Sequence, residues 1–235
     1  MAEARRIVVL LSFYRFSKSH RWWAFRQMGL AKERLGEGPA PQFVKFLGTG
    51  AGEGFSMRPD LTTYAHLTVW NDADEARAFL RSPMSRDWQA RSVAHAHIDL
   101  NPVKVHGEWN GKQPFSIAET YEKGPLAVMT RARIRAARLV DFWRHVPQAS
   151  RSLIENKEVL FAKGIGEMPW IEQATFSLWP SKEAMRRYAY DNGTHREVIQ
   201  RTRQRNWYSE ELFAEFVPRV LENDSFLSEQ LFDPV

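Results

Sequence analysis

The stretch ATFSLWPSKEAMRRYAY, Ala174–Tyr190, has a shorter and more acidic counterpart earlier in the chain, HLTVWNDADEARAFL, His66–Leu80. When Trp70 is aligned on Trp179, apolar and polar residues alternate before the tryptophan in both copies, which is typical of a β-strand with two different faces. After the tryptophan, apolar residues recur at i, i+3 and i+4 in both copies, as on one side of a helix. The chain therefore carries one strand–helix unit twice.

The similarity extends upstream of both copies. Each is preceded by a first strand, predicted at Val8–Tyr14 and Leu126–Ala132, and then by a helix and a second strand. Each half therefore has the order strand, helix, strand, strand, helix, with a terminal strand around Val103–Trp109 in the first, and we interpret both as β-α-β-β-α-β units of the ferredoxin-like motif. The predicted fold class is α+β: tandem ferredoxin-like units whose sheets close into a dimeric-α+β-barrel-type architecture within one chain.

The predicted join between the units is a polar segment with glycine and proline. We predict an N-terminal unit over residues 1–112, a linker over 113–124 and a C-terminal unit over 125–235. The glycine-rich stretch Gly48–Gly54 follows a strand, but it lacks the third glycine and the following helix of a dinucleotide-binding motif. It is interpreted as part of a hairpin connection that ends near Asp60.

Composition excludes several classes of protein. The 235 residues are 43% hydrophobic, enough for a real core, and contain no cysteine, so disulfides, zinc–cysteine sites, iron–sulfur clusters and thiolate-ligated haem are excluded. The net charge is +5, but the arginines are spaced among apolar residues and form no basic tail or run, so we expect no nucleic-acid partner.

No stretch is apolar enough for a membrane span. The longest aliphatic run near the N-terminus is Ile7–Leu11, far shorter than the ~20 residues that a spanning helix needs, and no signal-peptide pattern precedes it. We expect a cytoplasmic protein. Peripheral membrane association and assembly into a homo-oligomer stay open.

The polar faces of the repeated strands are candidates for lining a site. If the two sheets face each other, these residues point into the space between them; the alternative, equally open, is an ordinary solvated face. The residues concerned are Tyr64, His66, Thr68 and Trp70 in the first copy, and Gln173, Thr175, Ser177 and Trp179 in the second.

Only the second copy continues into a histidine at a helix start. Thr194 and Glu197 have the spacing of a capping box, which places His195 in the first helical turn on the same face as Val198 and Ile199. Such a histidine is either a core residue with a hydrogen-bonded nitrogen or a ligand that holds a haem iron. Both interpretations stay open on the residues alone.

Two further groups have chemical potential. Arg131 and Arg133 share one face of a strand, which suits recognition of carboxylates such as haem propionates; the alternative is a charged, exposed edge. His95 and His97 also share a strand face, but two histidines at this spacing are not by themselves a metal site, and we expect none there.

These residues resemble the spheroidene monooxygenases of carotenoid biosynthesis, and the resemblance covers nearly the whole chain. It rests on five blocks: Gly54-Phe55-Ser56 followed by Tyr64–Trp70, Leu160–Glu167 (LFAKGIGE), Gln173–Tyr190 (QATFSLWPSKEAMRRYAY), His195, and Trp207–Phe216 (WYSEELFAEF).

The resemblance implies a haem b-dependent monooxygenase that converts an acyclic carotenoid such as spheroidene to a ketone by successive hydroxylations. Reduced ferredoxin would supply the electrons. Within that function we assign roles from the positions described above: His195 as iron ligand, Arg131, Arg133 and Trp179 as further cofactor contacts, and His66, Thr175 and Ser177 as hydrogen-bonding catalytic groups. The paired ferredoxin-like architecture also resembles that of haem proteins such as the aldoxime dehydratases.

Two other functions remain compatible with the residues. A cofactor-free monooxygenase of the antibiotic-biosynthesis type would use the same fold on an electron-rich substrate. A non-enzymatic protein would bind haem or an apolar ligand in the same pocket.

Overall fold

The computed structural model describes residues 6–35, 40–52, 58–168, 170–191, 202 and 204–228, with side chains for all of these except residues 32, 146–152, 154 and 191. The strands are β1 (Val8–Phe16), β2 (Phe43–Gly50), β3 (Pro59–Trp70), β4 (Ser92–Gly107), β5 (Leu126–Ile134), β6 (Phe161–Met168), β7 (Glu172–Trp179) and β8 (Tyr208–Asp224). The α-helices are α1 (Arg21–Arg34), α2 (Ala73–Leu80), α3 (Pro83–Arg91), α4 (Leu139–Ile154) and α5 (Lys182–Arg186), and a π-helical turn covers Arg187–Asp191.

The eight strands form one closed barrel in the order β1-β3-β2-β6-β7-β5-β8-β4. The neighbouring strands are antiparallel, and each half of the chain contributes four consecutive strands of the circle. The halves meet along the long β4–β8 pair and along a short β2–β6 pair, where Gly48 lies opposite Gly166. The predicted α+β architecture of two units closing into one barrel is confirmed.

The barrel interior is a packed hydrophobic core. Phe13 of β1 lies with its ring centroid 5.5 Å from that of Phe161 and 5.9 Å from that of Phe176, so side chains of both halves touch. Phe226, which follows β8, stacks on Phe13 at 5.2 Å. An eight-stranded barrel is just wide enough to be filled by side chains. The interior is therefore core rather than a ligand pocket.

Both interpretations of the polar strand faces are wrong. The apolar residues Leu67 and Phe176 point into the barrel, so the alternating His66 and Thr175 point outward, yet both are buried from water, His66 under helix α3. Trp70, on the same face as His66, packs on helix α2. Closure decides this, because only the more apolar face of each strand can fill a dry barrel.

The two copies of the strand–helix unit share a hydrogen bond. Trp70 Nε1–H donates to Thr68 Oγ1 at 2.8 Å, and Trp179 Nε1–H donates to Ser177 Oγ at 3.0 Å. Both bonds are buried and join residues two apart on one strand face. The alignment of Trp70 with Trp179 is therefore structural as well as sequential.

The helix that follows each tryptophan also packs in the same way. Phe79 lies on Trp70 with ring centroids 5.1 Å apart and an interplanar angle of 34°, and Tyr188 lies on Trp179 at 5.2 Å and 31°. In the second half this contact comes from the π-helical turn, because α5 ends at Arg186.

Some element boundaries differ from the predictions. Strand β4 begins at Ser92, well before the predicted Val103, and helix α3 before it was not predicted. The segment between β4 and β5 contains Phe115, which is buried against Phe216 at a centroid distance of 5.2 Å. The unit boundaries at residues 112 and 125 stay a prediction. Among the helices described, none is long and apolar enough to cross a membrane.

Adjacent residues of β7 test the direction of its faces. Phe176→Ala is expected to lower the free energy of unfolding by about 3–5 kcal/mol, because it opens a cavity in the barrel core. Thr175→Val, on the outer face, is expected to change it by less than about 1 kcal/mol, because the hydroxyl it removes has no partner among the described residues. Guanidinium denaturation measures both, and equal losses would contradict this assignment of the faces.

Candidate active site

The outer face of β7 carries three of the predicted site residues side by side. Thr175, Ser177 and Trp179 are all buried there. Ser177 Oγ accepts the indole hydrogen bond from Trp179, which leaves its own O–H available to donate. Thr175 Oγ1 is buried and has no hydrogen-bond partner within the described part of the chain. A buried hydroxyl without a partner is unfavourable, so this face lacks one polar contact.

Small residues flank Thr175 on both neighbouring strands. Gly164 of β6 and Thr130 of β5 lie directly opposite it, and Thr130 is exposed to solvent. Ala162, two residues before Gly164, is buried on the same face. The sheet surface around Thr175 is therefore built from small residues, and solvent reaches its edge at Thr130.

Apolar side chains surround this area. They come from β5, the C-terminal part of α4, α5 and the π-helical turn. The buried members are Leu126, Val128, Leu153, Trp179, Ala184, Met185 and Tyr188. Their packing makes the surroundings of Thr175 and Ser177 on this face of the sheet largely apolar.

His195 lies outside the described residues, between Asp191 and Thr202 in the sequence. The capping pair Thr194 and Glu197 lies outside them as well. The predicted role of His195 as a metal ligand stays a prediction.

Arg131 and Arg133 lie on the other face of the sheet. Arg131 is directly opposite Ala174 of β7, which points into the barrel, so its guanidinium closes one barrel end instead of facing Thr175. It is 1% exposed, hydrogen-bonds to Glu210 and lies 3.4 Å from a carboxylate oxygen of Glu172. Arg133 Nη2 lies 2.6 Å from the same Glu172 oxygen. The structure therefore does not bring these arginines to the face that carries Trp179.

His66 is the repeat equivalent of Thr175, but it lies on the outer face of the N-terminal half. Its ring is 1% exposed, and neither nitrogen has a hydrogen-bond partner in the described residues. Trp88 of α3 lies 4.3 Å away by ring centroids, and Phe46 lies 4.8 Å away. Burial, and secondarily the charge of His97, lowers the pKa of His66 to about 3, so it stays neutral at pH 7.

The three residues predicted to be catalytic, His66, Thr175 and Ser177, therefore do not lie together. His66 packs under α3 on one side of the barrel, and Thr175 and Ser177 lie on the outer face of β7, on the side of the barrel where Trp179 packs against α5 and the π-helical turn. Strands β2 and β6 separate β3 from β7 in the barrel order. His66 cannot act with Thr175 on one reacting atom without a large rearrangement.

Comparison with known proteins is decisive for the family. No protein-family model matches the chain. It is 33% identical over 214 residues to spheroidene monooxygenase of Rhodobacter capsulatus, covering 89% of both chains. It is 34% identical over 212 residues to that of Cereibacter sphaeroides, covering 88% of this chain and 65% of the relative's length. The chain belongs to the spheroidene monooxygenase family.

Among solved structures, an aldoxime dehydratase shares the fold. Its TM-score is 0.61 at 12% sequence identity, covering 92% of this chain and 82% of the other. At this identity the likeness extends to the fold alone.

In this member of the spheroidene monooxygenase family, the partners of the charged groups were not predicted from the sequence. Arg131 on β5 forms ion pairs with Glu172 and Glu210, which lie on the two neighbouring strands, β7 and β8. Trp88, which covers His66, lies on the helix α3 that was not predicted. The sequence signal for α3 was Ser82 followed by Pro83, since proline is favoured at the first position of a helix. In the structure Ser82 Oγ accepts a hydrogen bond from Ser85 N.

The burial of His66 predicts acid sensitivity. Its pKa is about 3 when folded and 6.5 when exposed, so the unfolded chain takes up the proton first as the pH falls. Neutral, buried His66 therefore contributes fully to the free energy of unfolding above about pH 6.5. The free energy of unfolding falls as the pH drops toward 3, and at pH 4.5 the loss from this residue is about 2–3 kcal/mol. Around the ring, Tyr14 is kept neutral by a pKa of about 12, and His97, whose pKa is also about 3, adds its own decline.

His66→Leu is expected to be at least as stable as the unchanged protein at pH 7.5 and to lose less stability between pH 7.5 and 4.5. Denaturant midpoints at the two pH values measure this, with the exposed His106→Ala as the matched histidine control. An unchanged pH dependence in His66→Leu would show that the imidazole is not buried as described.

Proposed function

We propose that the chain is a haem-dependent monooxygenase that oxygenates an acyclic carotenoid such as spheroidene, and that the reaction takes place on the outer face of β7. Family membership supports the reaction class and the apolar substrate. The observation that carries the location is the buried Thr175 hydroxyl, which has no partner among the described residues and lies beside the small residues Gly164 and Ala162. It is a hydrogen-bond donor where an oxygen ligand of the cofactor or substrate would need one.

The residues of this face fit a flat, apolar cofactor. The chain has no cysteine, so an iron on this face would take a nitrogen or oxygen ligand, and His195 is the proposed one. When bound, haem would supply the iron centre at which dioxygen is reduced. Thr175 would donate a hydrogen bond there, Ser177 would be held in place by Trp179, and the apolar walls would exclude water.

Arg131 is a poor candidate for a propionate contact, because Glu210 and Glu172 already neutralise it on the opposite face. Arg133 is 47% exposed, so it could meet a carboxylate only at the barrel rim. The proposal therefore assigns no propionate partner to these residues. It rests on Thr175, His195 and the apolar wall.

The stoichiometry requires an electron donor. Each hydroxylation consumes one dioxygen, two electrons and two protons, and releases one water. Two hydroxylations at one carbon give a gem-diol, which loses water to form the ketone. A ferredoxin-type protein is the proposed donor, since the net charge of +5 favours an acidic partner.

Haem binding and turnover test the proposal separately. Titration of the purified protein with haemin is expected to give a Soret band that saturates near one haem per chain. His195→Ala is expected to weaken binding at least tenfold, as loss of an iron ligand does, whereas the exposed His106→Ala is not. With spheroidene, dioxygen and reduced ferredoxin, Thr175→Val is expected to retain haem but to lose about 10²-fold in turnover.

The outcomes separate the competing functions. Turnover without any haem would overturn the haem part and favour the cofactor-free monooxygenase. A Soret band without turnover on any carotenoid would favour a haem-binding protein. Full turnover by Thr175→Val would remove the outer face of β7 as the reaction site.

We also propose that helix α1 contacts the membrane in which such a substrate dissolves. Trp22, Phe25 and Leu30 share its outward side and are 57%, 52% and 41% exposed. Arg21 and Arg26 are exposed beside them, and the Arg21 guanidinium lies 5.4 Å from the Trp22 ring centre. Exposed aromatic rings flanked by cations are typical of surfaces that bind anionic lipid headgroups.

Vesicle sedimentation tests the lipid contact. The double variant Trp22→Ser, Phe25→Ser is expected to bind vesicles of mixed neutral and anionic phospholipid at least tenfold more weakly than the unchanged protein. A control with Ile117→Ser and Val140→Ser, which removes exposed apolar area elsewhere, is expected to bind normally. Equal binding by all three proteins would refute a role for α1.

A further inference from the structure

A second chemical group lies in the N-terminal half, away from β7. His95 and His97 share the outer face of β4, and Glu222 of β8 is the direct cross-strand partner of His97. Glu222 Oε1 lies 3.3 Å from His95 Nε2, and Glu222 Oε2 lies 3.8 Å from His97 Nε2. One ligand atom from each of the three residues lies within 4.8 Å of the others.

The histidine rings are oriented by serines. His97 Nδ1 lies 2.8 Å from Ser12 Oγ, and His95 Nδ1 lies 3.4 Å from Ser92 Oγ. Both rings therefore turn their Nε2 atoms toward Glu222. This is the arrangement of metal-binding histidines, in which one ring nitrogen ligates and the other is held by a hydrogen-bond partner.

Gln89 defines the protonation of His97. Its amide nitrogen lies 3.1 Å from His97 Nε2, and as a donor it requires a lone pair on that atom. The proton of His97 is then on Nδ1, where Ser12 accepts it. A cation would replace the Gln89 N–H as the partner of the Nε2 lone pair, with the carboxylate of Glu222 close enough to bind the same ion.

The spacing also fits a coordinated ion. Around a tetrahedral zinc with Zn–N and Zn–O distances of 2.0–2.2 Å, neighbouring ligand atoms lie about 3.3–3.6 Å apart. The two measured Nε2–carboxylate distances lie close to this range, and the longer one exceeds hydrogen-bonding distance. The two distances involve different oxygens of Glu222 and the three ligand atoms lie within 4.8 Å of one another, so binding would draw them closer by up to about 1 Å.

Solvent reaches the group. The Glu222 side chain is 53% exposed and borders a cleft of about 360 Å³, which Gln89 also lines. An ion can therefore enter without unfolding the barrel, and water can fill the remaining coordination position. Asp224, 3.8 Å from His95 Nδ1, adds negative charge at the entrance.

We propose that His95, His97 and Glu222 form a binding site for a divalent first-row transition metal such as Zn²⁺. The donor set of two imidazoles and one carboxylate suits zinc and its neighbours better than Ca²⁺ or Mg²⁺. The ion would link the end of β8 to β4, next to the segment that places Phe226 against Phe13 in the barrel core. Its effect is on stability, independent of the reaction on β7.

Metal titration tests the site without turnover. Protein stripped with EDTA is titrated with Co²⁺, whose visible absorption reports tetrahedral nitrogen and oxygen ligation, and then with Zn²⁺ while the unfolding temperature is followed. The unchanged protein is expected to show the Co²⁺ bands and to gain thermal stability with Zn²⁺. Glu222→Gln keeps the shape of a half-exposed side chain, and we expect it to fold and to bind at least tenfold more weakly.

The histidine variants complete the design. His95→Ala is expected to abolish the Co²⁺ spectrum, and the exposed His106→Ala, on the same strand, is expected to leave it unchanged. His195→Ala is expected to leave it unchanged too, which separates this site from the proposed haem ligand. Equal Co²⁺ and Zn²⁺ responses in the unchanged protein, Glu222→Gln and His95→Ala would overturn the proposal.

Discussion

The packing of phenylalanines inside the closed barrel is the constraint on which the other features depend. Phe13, Phe161, Phe176 and Phe226 come from both halves of the chain and meet at centroid distances of 5.2–6.3 Å. Because side chains alternate along a strand, filling the interior sends every second residue outward. Helices then cover these outward residues, and chemistry that needs polar groups has to use the two covered outer faces.

The repeat gives the two outer faces the same plan and different contents. His66 and Thr175 occupy equivalent positions, and each is a buried polar group without a partner among the residues described. In the first half, Trp88 and Phe46 close over His66, so the place is sealed by aromatic rings. In the second half, the small Gly164 lies opposite Thr175. The same inherited position has therefore become core in one half and a candidate site in the other.

Local patterns predicted what local physics determines. The alternation and the tryptophan register predicted the strands and the repeat. The caps at Asp72 and Ser181 were not predicted, although they are equally local, since each side chain accepts a backbone N–H of the helix turn that follows. The direction of the strand faces was not predictable in this way. Period two distinguishes two faces, but barrel closure decides which of them is inside.

Contacts between distant parts of the sequence were also beyond local patterns. Arg131 and Arg133 were interpreted as a basic strand face without acidic partners, because no residue near them in the sequence indicates that Glu172 and Glu210 lie on the neighbouring strands. His95 and His97 read as an incomplete pair for the same reason, since Glu222 reaches them only through the β4–β8 pairing. A charged group can be interpreted only once the strand order is known.

The filled interior also limits where a long substrate can bind. The core residues are close to 0% exposed, and the buried Arg131, with Trp109 5.4 Å from its guanidinium carbon, closes one barrel end. Threading a polyene through the barrel would displace that core and separate an ion pair in a dry environment, where breaking one costs about 3–5 kcal/mol. The proposed carotenoid substrate would therefore lie along the outside of the barrel. The outer face of β7, whose neighbouring residue Thr130 is exposed, is the proposed position, and its use would leave the core in place.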